Sequence, residues 1–272
     1  MRHDAVSMAD AHGMYDVDRW TDGAAVRAED SVAEEVPVAL VYNGFSHAVM
    51  MATPQDLEDF AVGFSLSEGI AGNVREILDI EVVEHAHGTE VQMQLAGERF
   101  AQLRARRRAM TGRTGCGICG VESLDQLACR PITKVGATGM LDAGALQRAQ
   151  AELQSRQHLF DLTGAVHAAA WCGFDGRVEF VREDVGRHNA LDKLIGAIAA
   201  QQRSFNDGFL FMTSRASYEI VQKSAAVGIA VVAAVSAPTG MAVRVAQAAG
   251  LTLIGFARGE RHSVYSHPER VH

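Results

Sequence analysis

Cys116 and Cys119 stand in the stretch TGRTGCGICGVES, residues 111–123, where Gly112, Gly115, Gly117 and Gly120 leave few side chains around the two thiols. Such a pair can clip a metal, switch between dithiol and disulfide, or carry a sulfur atom. A structural zinc site needs four ligands and C-x-x-C supplies two. The remaining cysteines, Cys129 and Cys172, each stand alone, and Cys172 ends an apolar run where a free thiol commonly packs as a small hydrophobe. A thioredoxin-like dithiol follows a buried strand and opens a helix, which lowers the pKa of its first thiol. Here the preceding segment is RARRRAMTGRTG, which is no buried strand. A glycine-lined arm bearing a nucleophile fits better, because a loop that enters a partner's site needs backbone freedom and little bulk. Arg104, Arg106, Arg107, Arg108 and Arg113 precede the pair. They read equally well as a solvated face or as a rim that attracts anions and stabilises a thiolate or persulfide.

The whole chain limits the classes open to it. At 272 residues and 48% hydrophobic content it can bury a sizeable core. No segment resembles a signal peptide or a membrane span, so the expectation is a cytoplasmic protein without a membrane partner. In that reducing setting a cysteine pair points to chemistry rather than a structural disulfide. A formal charge of −8 argues against general nucleic-acid binding, which needs a surplus of cations on the contact face.

The elements that must position these residues change style along the chain. Residues 1–14 lack periodicity and read as a mobile tail. From Tyr15, YDVDRW and AAVRAE flank a Thr-Asp-Gly turn, VPVALVYNG and SHAVMMAT flank an Asn-Gly signal, and ILDIEVVEHAHGTEVQMQLAG reads as a further hairpin. TPQDLEDFAVGFSLSEG reads as an amphipathic helix with Thr53 as cap and Pro54 in the first turn, stopped at Gly69. LDAGALQRAQAELQSRQHLF reads as one helix leading to the strand AVHAAAWC. Beyond it, VEFVRED, GFLFMTS, IAVVAAVSA and LTLIGFARG alternate with helical segments, which implies a mostly parallel sheet with crossover helices. The expected organisation is thus a tail (1–14), an antiparallel hairpin and helix region (15–110), a flexible Cys loop (111–123) and an α/β region (124–272).

In such a sheet ligands bind beyond the carboxyl ends of the strands. Those ends are TSRASY (213–218), SAPTG (236–240) and FARGER (256–261), which place Ser214, Arg215, Ser236, Thr239 and Arg258 on one edge. Hydroxyls, helix starts and guanidinium groups suit phosphate oxygens. Taken singly, Ser214, Ser217, Ser236 and Thr239 read as helix caps; together the loops favour a nucleotide-like ligand, although neither a Walker loop nor G-x-G-x-x-G is present. In REDVGRHNALDK, Asp184 reads as a cap and His188 as a core residue, yet Arg187, His188, Asn189 and Lys193 together look like a binding wall.

TGCGICG, EDVGRHNALDK, SRASYEIVQK, SAPTGMAV and FARGER...VYSHPER, with VPVALVYNG upstream, resemble the formate dehydrogenase accessory protein family, FdhD. The resemblance covers the chain after its tail. It implies a sulfurtransferase that takes sulfur as a persulfide from a cysteine desulfurase and delivers it to a bis(molybdopterin guanine dinucleotide) molybdenum or tungsten cofactor, the bound substrate, for formate dehydrogenase. Cys116 would carry the persulfide with Cys119 as its partner. Phe256, Ala257, Arg258, Gly259, Glu260 and Arg261 would match the cofactor-binding stretch, with GDP or another guanine nucleotide as a partial mimic. The resemblance further implies a homodimer with a cytidine deaminase-like α/β sandwich and no resident metal; the deaminase zinc signature is absent. The alternative is a cofactor-binding chaperone whose cysteines only dock partners.

Overall fold

The structure is a computed structural model that describes residues 10–111, 133–136 and 139–272. Cys116, Cys119, Cys129 and Arg113, the Cys loop, and most of the expected tail lie outside the described residues. The chain opens with a hairpin of β1 (His12–Thr21) and β2 (Ala24–Ala33), so the first strand begins before Tyr15. At its turn Asp22 and Gly23 both have positive φ, 52° and 83°. The next hairpin, β3 (Val36–Tyr42) and β4 (Phe45–Ala52), turns at Asn43 and Gly44 with φ of 47° and 80°. These are the left-handed pairs that match the twist of two-residue hairpins.

A third hairpin, β5 (Ile77–His85) and β6 (Gly88–Leu95), joins the second through a parallel β3/β6 pairing, giving the order β4-β3-β6-β5. Helix α1 (Leu57–Ser67) covers this sheet, packing Phe60, Ala61 and Phe64 with Leu40, Tyr42, Val91 and Met93. Helix α2 (Gly97–Thr111) follows β6 and contains Arg104, Arg106, Arg107 and Arg108, an element not anticipated from sequence. Arg104 stands over the rings of Phe45 and Phe100 at 5.9 and 5.8 Å.

The segment expected as one helix is two: α3 (Ala143–Gln154) and α4 (His158–Thr163). The break has a cause. Glu183 accepts hydrogen bonds from the amides of Leu159 and Phe160, both at 2.9 Å, and so starts a new helix there.

The larger sheet contains β7 (His167–Gly173), β8 (Val178–Asp184), β9 (Gly208–Met212), β10 (Val231–Ala234), β11 (Thr252–Arg258) and β12 (Arg261–Ser266). Their order is β12-β11-β10-β9-β7-β8. Strands β9, β10 and β11 pair in parallel, whereas β7 pairs antiparallel with both β8 and β9, and β12 antiparallel with β11. The sheet is therefore mixed, which corrects the expectation of mostly parallel pairing. The tight β7–β8 connection, with Gly176 at φ 88°, returns the chain alongside β7. Helix α5 (Arg187–Ala200) then crosses to the far side of β7. Strands β8, β9, β10 and β11 consequently still point the same way, and their carboxyl ends share one edge.

Helices α5, α6 (Tyr218–Val227) and α7 (Gly240–Ala249) cover one face around Leu191, Ile195, Leu210, Ile220 and Val232. Helix α3 covers the other around Leu146, Leu153, Phe209 and Phe211. Helix α1 lies between the two sheets, which explains why Leu57, Phe60, Ala61, Val62, Gly63 and Phe64 are all buried rather than forming a single apolar stripe. Its contact with α5 is backbone to backbone. A Cβ on Gly63 would stand 1.7 Å from the Asp192 carbonyl oxygen, and one on Gly196 1.9 Å from that of Asp59.

Two buried ion pairs secure the same junction. Lys193 Nζ lies 2.7 Å from Asp184 Oδ2 with both side chains fully buried, and donates to the Thr53 carbonyl at 2.9 Å. Lys223 Nζ meets Asp192 at 2.9 Å, Glu68 at 2.9 Å and Ser67 Oγ at 3.0 Å. Burial opposes the Lys223 charge, but the carboxylates of Asp192 and Glu68 outweigh it and hold its pKa above the ordinary lysine value. Thr53 is thus no helix cap. Its amide donates to Asp184 Oδ2 at 3.0 Å, its hydroxyl accepts from the Val185 amide at 3.1 Å, and α1 starts after Asp56.

Candidate cofactor-binding site

The loops after β9, β10 and β11 are stitched side by side. The Val235 amide donates to the Met212 carbonyl at 2.9 Å, the Thr239 amide to that of Ala216 at 3.1 Å, and the Phe256 amide to that of Ser236 at 3.2 Å. Ser214, Arg215, Ser236, Thr239 and residues 256–261 therefore share one surface. Their roles differ. Ser214 is buried, with its hydroxyl donated to the Arg215 carbonyl at 3.1 Å, so it shapes the loop; Arg215 is exposed. Thr239 caps α7 by accepting from the Ala242 amide at 3.3 Å. Ala257 turns its side chain into the core shared with α3, which leaves only its backbone on the edge.

Phe256 is the unusual residue. Its φ is 54° and its ring is 45% exposed. A bulky side chain in the left-handed region costs on the order of 1–3 kcal/mol, and an exposed aromatic ring gains nothing back from the core. The conformation follows from the register shift between Gly255 and Arg258 in the β11/β12 pairing. Gly255 in turn has to be glycine, because a Cβ there would stand 2.8 Å from the Pro238 ring.

The hairpin beyond it sets Arg258 directly opposite Arg261. Both are exposed, and neither makes an ion pair among the described residues. Like charges opposed across a hairpin destabilise it, so an anion between them would be favourable. The Arg258 Nε donates to the Val235 carbonyl at 2.9 Å, and the Gly259 amide to Gln150 Oε1 at 2.6 Å; these bonds orient the hairpin over the β10 loop. Glu260 is exposed at its tip.

The REDVGRHNALDK segment divides into two kinds of residue. Asn189 bridges the Met51 carbonyl at 2.8 Å and Asp184 Oδ1 at 3.0 Å, and Lys193 is the buried partner of Asp184, so neither belongs to a binding wall. Arg187 and His188 remain at the edge. His188 Nε2 lies 3.3 Å from Ser217 Oγ and 3.6 Å from Glu219 Oε2. Burial, reinforced by Arg187 and Lys223, outweighs Glu219 and Glu68 and lowers the His188 pKa from 6.5 to about 4. Sequence reasoning missed His167, which begins β7 on this edge and whose pKa is lowered by burial and by Arg187. A polar residue at the start of an otherwise apolar strand was the available signal.

The His188 shift has a defined consequence. Because the folded-state pKa lies below the unfolded one, the unfolded chain protonates first, so stability is full above pH 6.5 and falls as the pH drops toward 4. In an NMR titration the ring is expected to stay neutral until about pH 4. A midpoint at 6.5, or an acid-induced loss of melting temperature identical in His188→Asn, would contradict the environment described.

Cys172 is fully buried in β7, and burial raises its thiol pKa above the ordinary value, which makes it a poor nucleophile. Among the described residues no helix is long and apolar enough to cross a membrane.

Residues 33–272 match the model of the FdhD/NarQ family. The chain is 54% identical over 260 residues to the sulfur carrier protein FdhD of Cupriavidus necator, covering 96% of this chain and 90% of that protein. It is 51% identical over 249 residues to that of Bordetella petrii, covering 92% and 89%. The fold matches the crystal structure of a protein described as a formate dehydrogenase accessory protein of Desulfotalea psychrophila, with a TM-score of 0.76 at 24% identity, covering 97% of this chain and all of that one. With motifs, topology and near-complete coverage in agreement, the chain belongs to the FdhD/NarQ family.

Proposed function

We propose that this chain is a sulfur carrier that receives sulfur from a cysteine desulfurase as a persulfide on Cys116 and passes it to the molybdenum cofactor of formate dehydrogenase. Family membership carries the sulfurtransferase role. The bis(molybdopterin guanine dinucleotide) form of the cofactor is the substrate, and its nucleotide part is assigned to the strand-end surface. There the exposed Phe256 ring offers a stacking platform, and Arg258 and Arg261 offer guanidinium forks for phosphate oxygens. Cys116 is assigned as the carrier because glycines, Gly115 and Gly117, stand on both sides of it in the sequence, and Cys119 as its exchange partner. When the outer sulfur leaves, the Cys116 thiolate is left behind to be loaded again. We also propose that the protein acts as a cytoplasmic homodimer and that the larger sheet is of the cytidine deaminase-like kind.

GDP is the tractable mimic of the nucleotide part. Calorimetry should show GDP binding to the wild-type protein, weakened by about 1.5–3 kcal/mol in Arg258→Ala, because charge-assisted hydrogen bonds are lost. Phe256→Gly is a second probe: it relieves the left-handed strain, so the protein should melt no lower, yet GDP should bind more weakly for want of the ring. Unchanged GDP affinity in both variants would remove this surface from the proposal.

A further inference from the structure

The hairpin of β1 and β2 has no buried face. Its register puts Met14 and Trp20 on one side of the ribbon and Tyr15, Val26 and Val32 on the other. All five are exposed, Trp20 at 70% and Val26 at 64%, and none joins a hydrophobic core. The ribbon is a sheet of its own, and among the described residues no other strand pairs with it. Within the protomer β2 packs beside α4. An isolated two-stranded ribbon is marginal in water, and large apolar side chains on both of its faces mark a surface that something else encloses.

Area and charge specify what encloses it. Strands of 10 residues make a ribbon about 34 Å long and about 10 Å wide, so its two faces together offer roughly 700 Å². Laid on an unrelated partner, one such arm falls short of the about 800 Å² per side of a standard stable interface. Exchanged between two copies, each protomer buries its own arm and the surface that receives the other, about 1,400 Å² per side. The arm carries Asp16, Asp18, Asp22, Glu29 and Asp30 against Arg19 and Arg27, and these arginines pair within the hairpin, with Asp30 at 3.4 Å and Asp16 at 2.9 Å. Its surplus charge is negative. The same chain supplies a complementary surface: Arg104 of the arginine-rich α2 is exposed and stands over the exposed ring of Phe45. A cationic, aromatic face suits an acidic ribbon with apolar side chains.

We propose that the β1–β2 hairpin is an exchanged arm: each copy's hairpin lies across α2 and Phe45 of a second copy, and the two contacts are equivalent by two-fold symmetry. The inference rests on the homodimer reading and adds the surface that makes the dimer. It explains why a ribbon with apolar side chains on both faces is kept outside the cores of its own protomer.

Trp20 is a built-in reporter, because the chain has two tryptophans and the other, Trp171, is fully buried in β7. Sedimentation of the full-length wild type should show a dimer, and acrylamide quenching of the same samples should find Trp20 shielded in the dimer and accessible once dilution splits it. Trp20→Ser combined with Val26→Ser, and separately Arg104→Glu, should each raise the dimer dissociation constant about tenfold or more. A dimer whose Trp20 is quenched as freely as in the dilute protein would overturn the exchanged arm and leave the homodimer standing. Wild-type dimer affinity in either variant would do the same. A wild type that stays monomeric at every concentration would overturn both.

Discussion

Lys193→Met should destabilise the protein by about 3–5 kcal/mol, the usual cost of stranding one charge of a buried pair. Lys193 and Asp184 are fully buried, 2.7 Å apart, and Lys193 also holds the Thr53 carbonyl. Without the ammonium group, the Asp184 carboxylate keeps its bonds from the Thr53 and Gly186 amides and from Asn189 but has no counter-charge. The effect reaches beyond local packing, because Thr53 joins β4 to α1 whereas Asp184 ends β8, so the pair fastens the small sheet to the large one. Asp184→Asn in the Lys193→Met background retains an acceptor and removes the stranded charge, so the double variant should be more stable than Lys193→Met alone. Denaturant unfolding of the wild type, Lys193→Met, Asp184→Asn and the double variant checks this. A double variant as unstable as the sum of its parts would show that the two residues act separately.

Cys116→Ala should abolish sulfur transfer, the largest functional loss expected of any single change. Of the other thiols, Cys172 is buried with a raised pKa, Cys129 stands outside the glycine-rich stretch, and Cys119 has Ile118 as a neighbour. GDP binding should be nearly unchanged in Cys116→Ala, because the proposed nucleotide contacts come from residues 214–215, 236–239 and 256–261 rather than from the Cys stretch. Cys119→Ala should still load at Cys116 and transfer poorly. Retained wild-type transfer in Cys116→Ala would move the carrier elsewhere, and lost GDP binding would merge the two sites.

Local signals were the legible part of the sequence. Asn43–Gly44 and Asp22 followed by Gly23 announced their turns because the left-handed pair is required by two neighbouring residues alone. The β9–α6–β10–α7–β11 succession was equally plain, since each apolar strand is followed by its own helix. What sequence did not disclose depends on distant partners. The insertion of β7 between β8 and β9 is set by long-range pairing that apolar composition does not encode. Thr53 has the composition of a cap but is claimed by Asp184, Val185 and Lys193.

The strand-end surface was legible in position and less so in detail. Topology brings Ser214, Arg215, Ser236, Thr239 and the 256–261 hairpin to one edge, as strand direction requires. The sequence did not separate Ser214, Thr239 and Ala257, which shape the scaffold, from Arg215, Phe256, Arg258 and Arg261, whose side chains are exposed on the surface. Nor did it reveal that Phe256 is left-handed or that the Arg187 Nε is buried without a hydrogen-bond partner among the described residues, because both arise from the packing of several chain segments.

The central claim is that the chain carries sulfur on a cysteine of the 111–123 stretch. Mass spectrometry of the wild-type protein after incubation with a cysteine desulfurase and labelled cysteine, followed by peptide mapping, tests it most directly. The account predicts a gain of one labelled sulfur on the peptide containing Cys116, lost on treatment with a thiol reductant and absent in Cys116→Ala. An unlabelled Cys116 peptide in a protein that still binds GDP would contradict it and leave a cofactor-binding chaperone whose cysteines only dock partners.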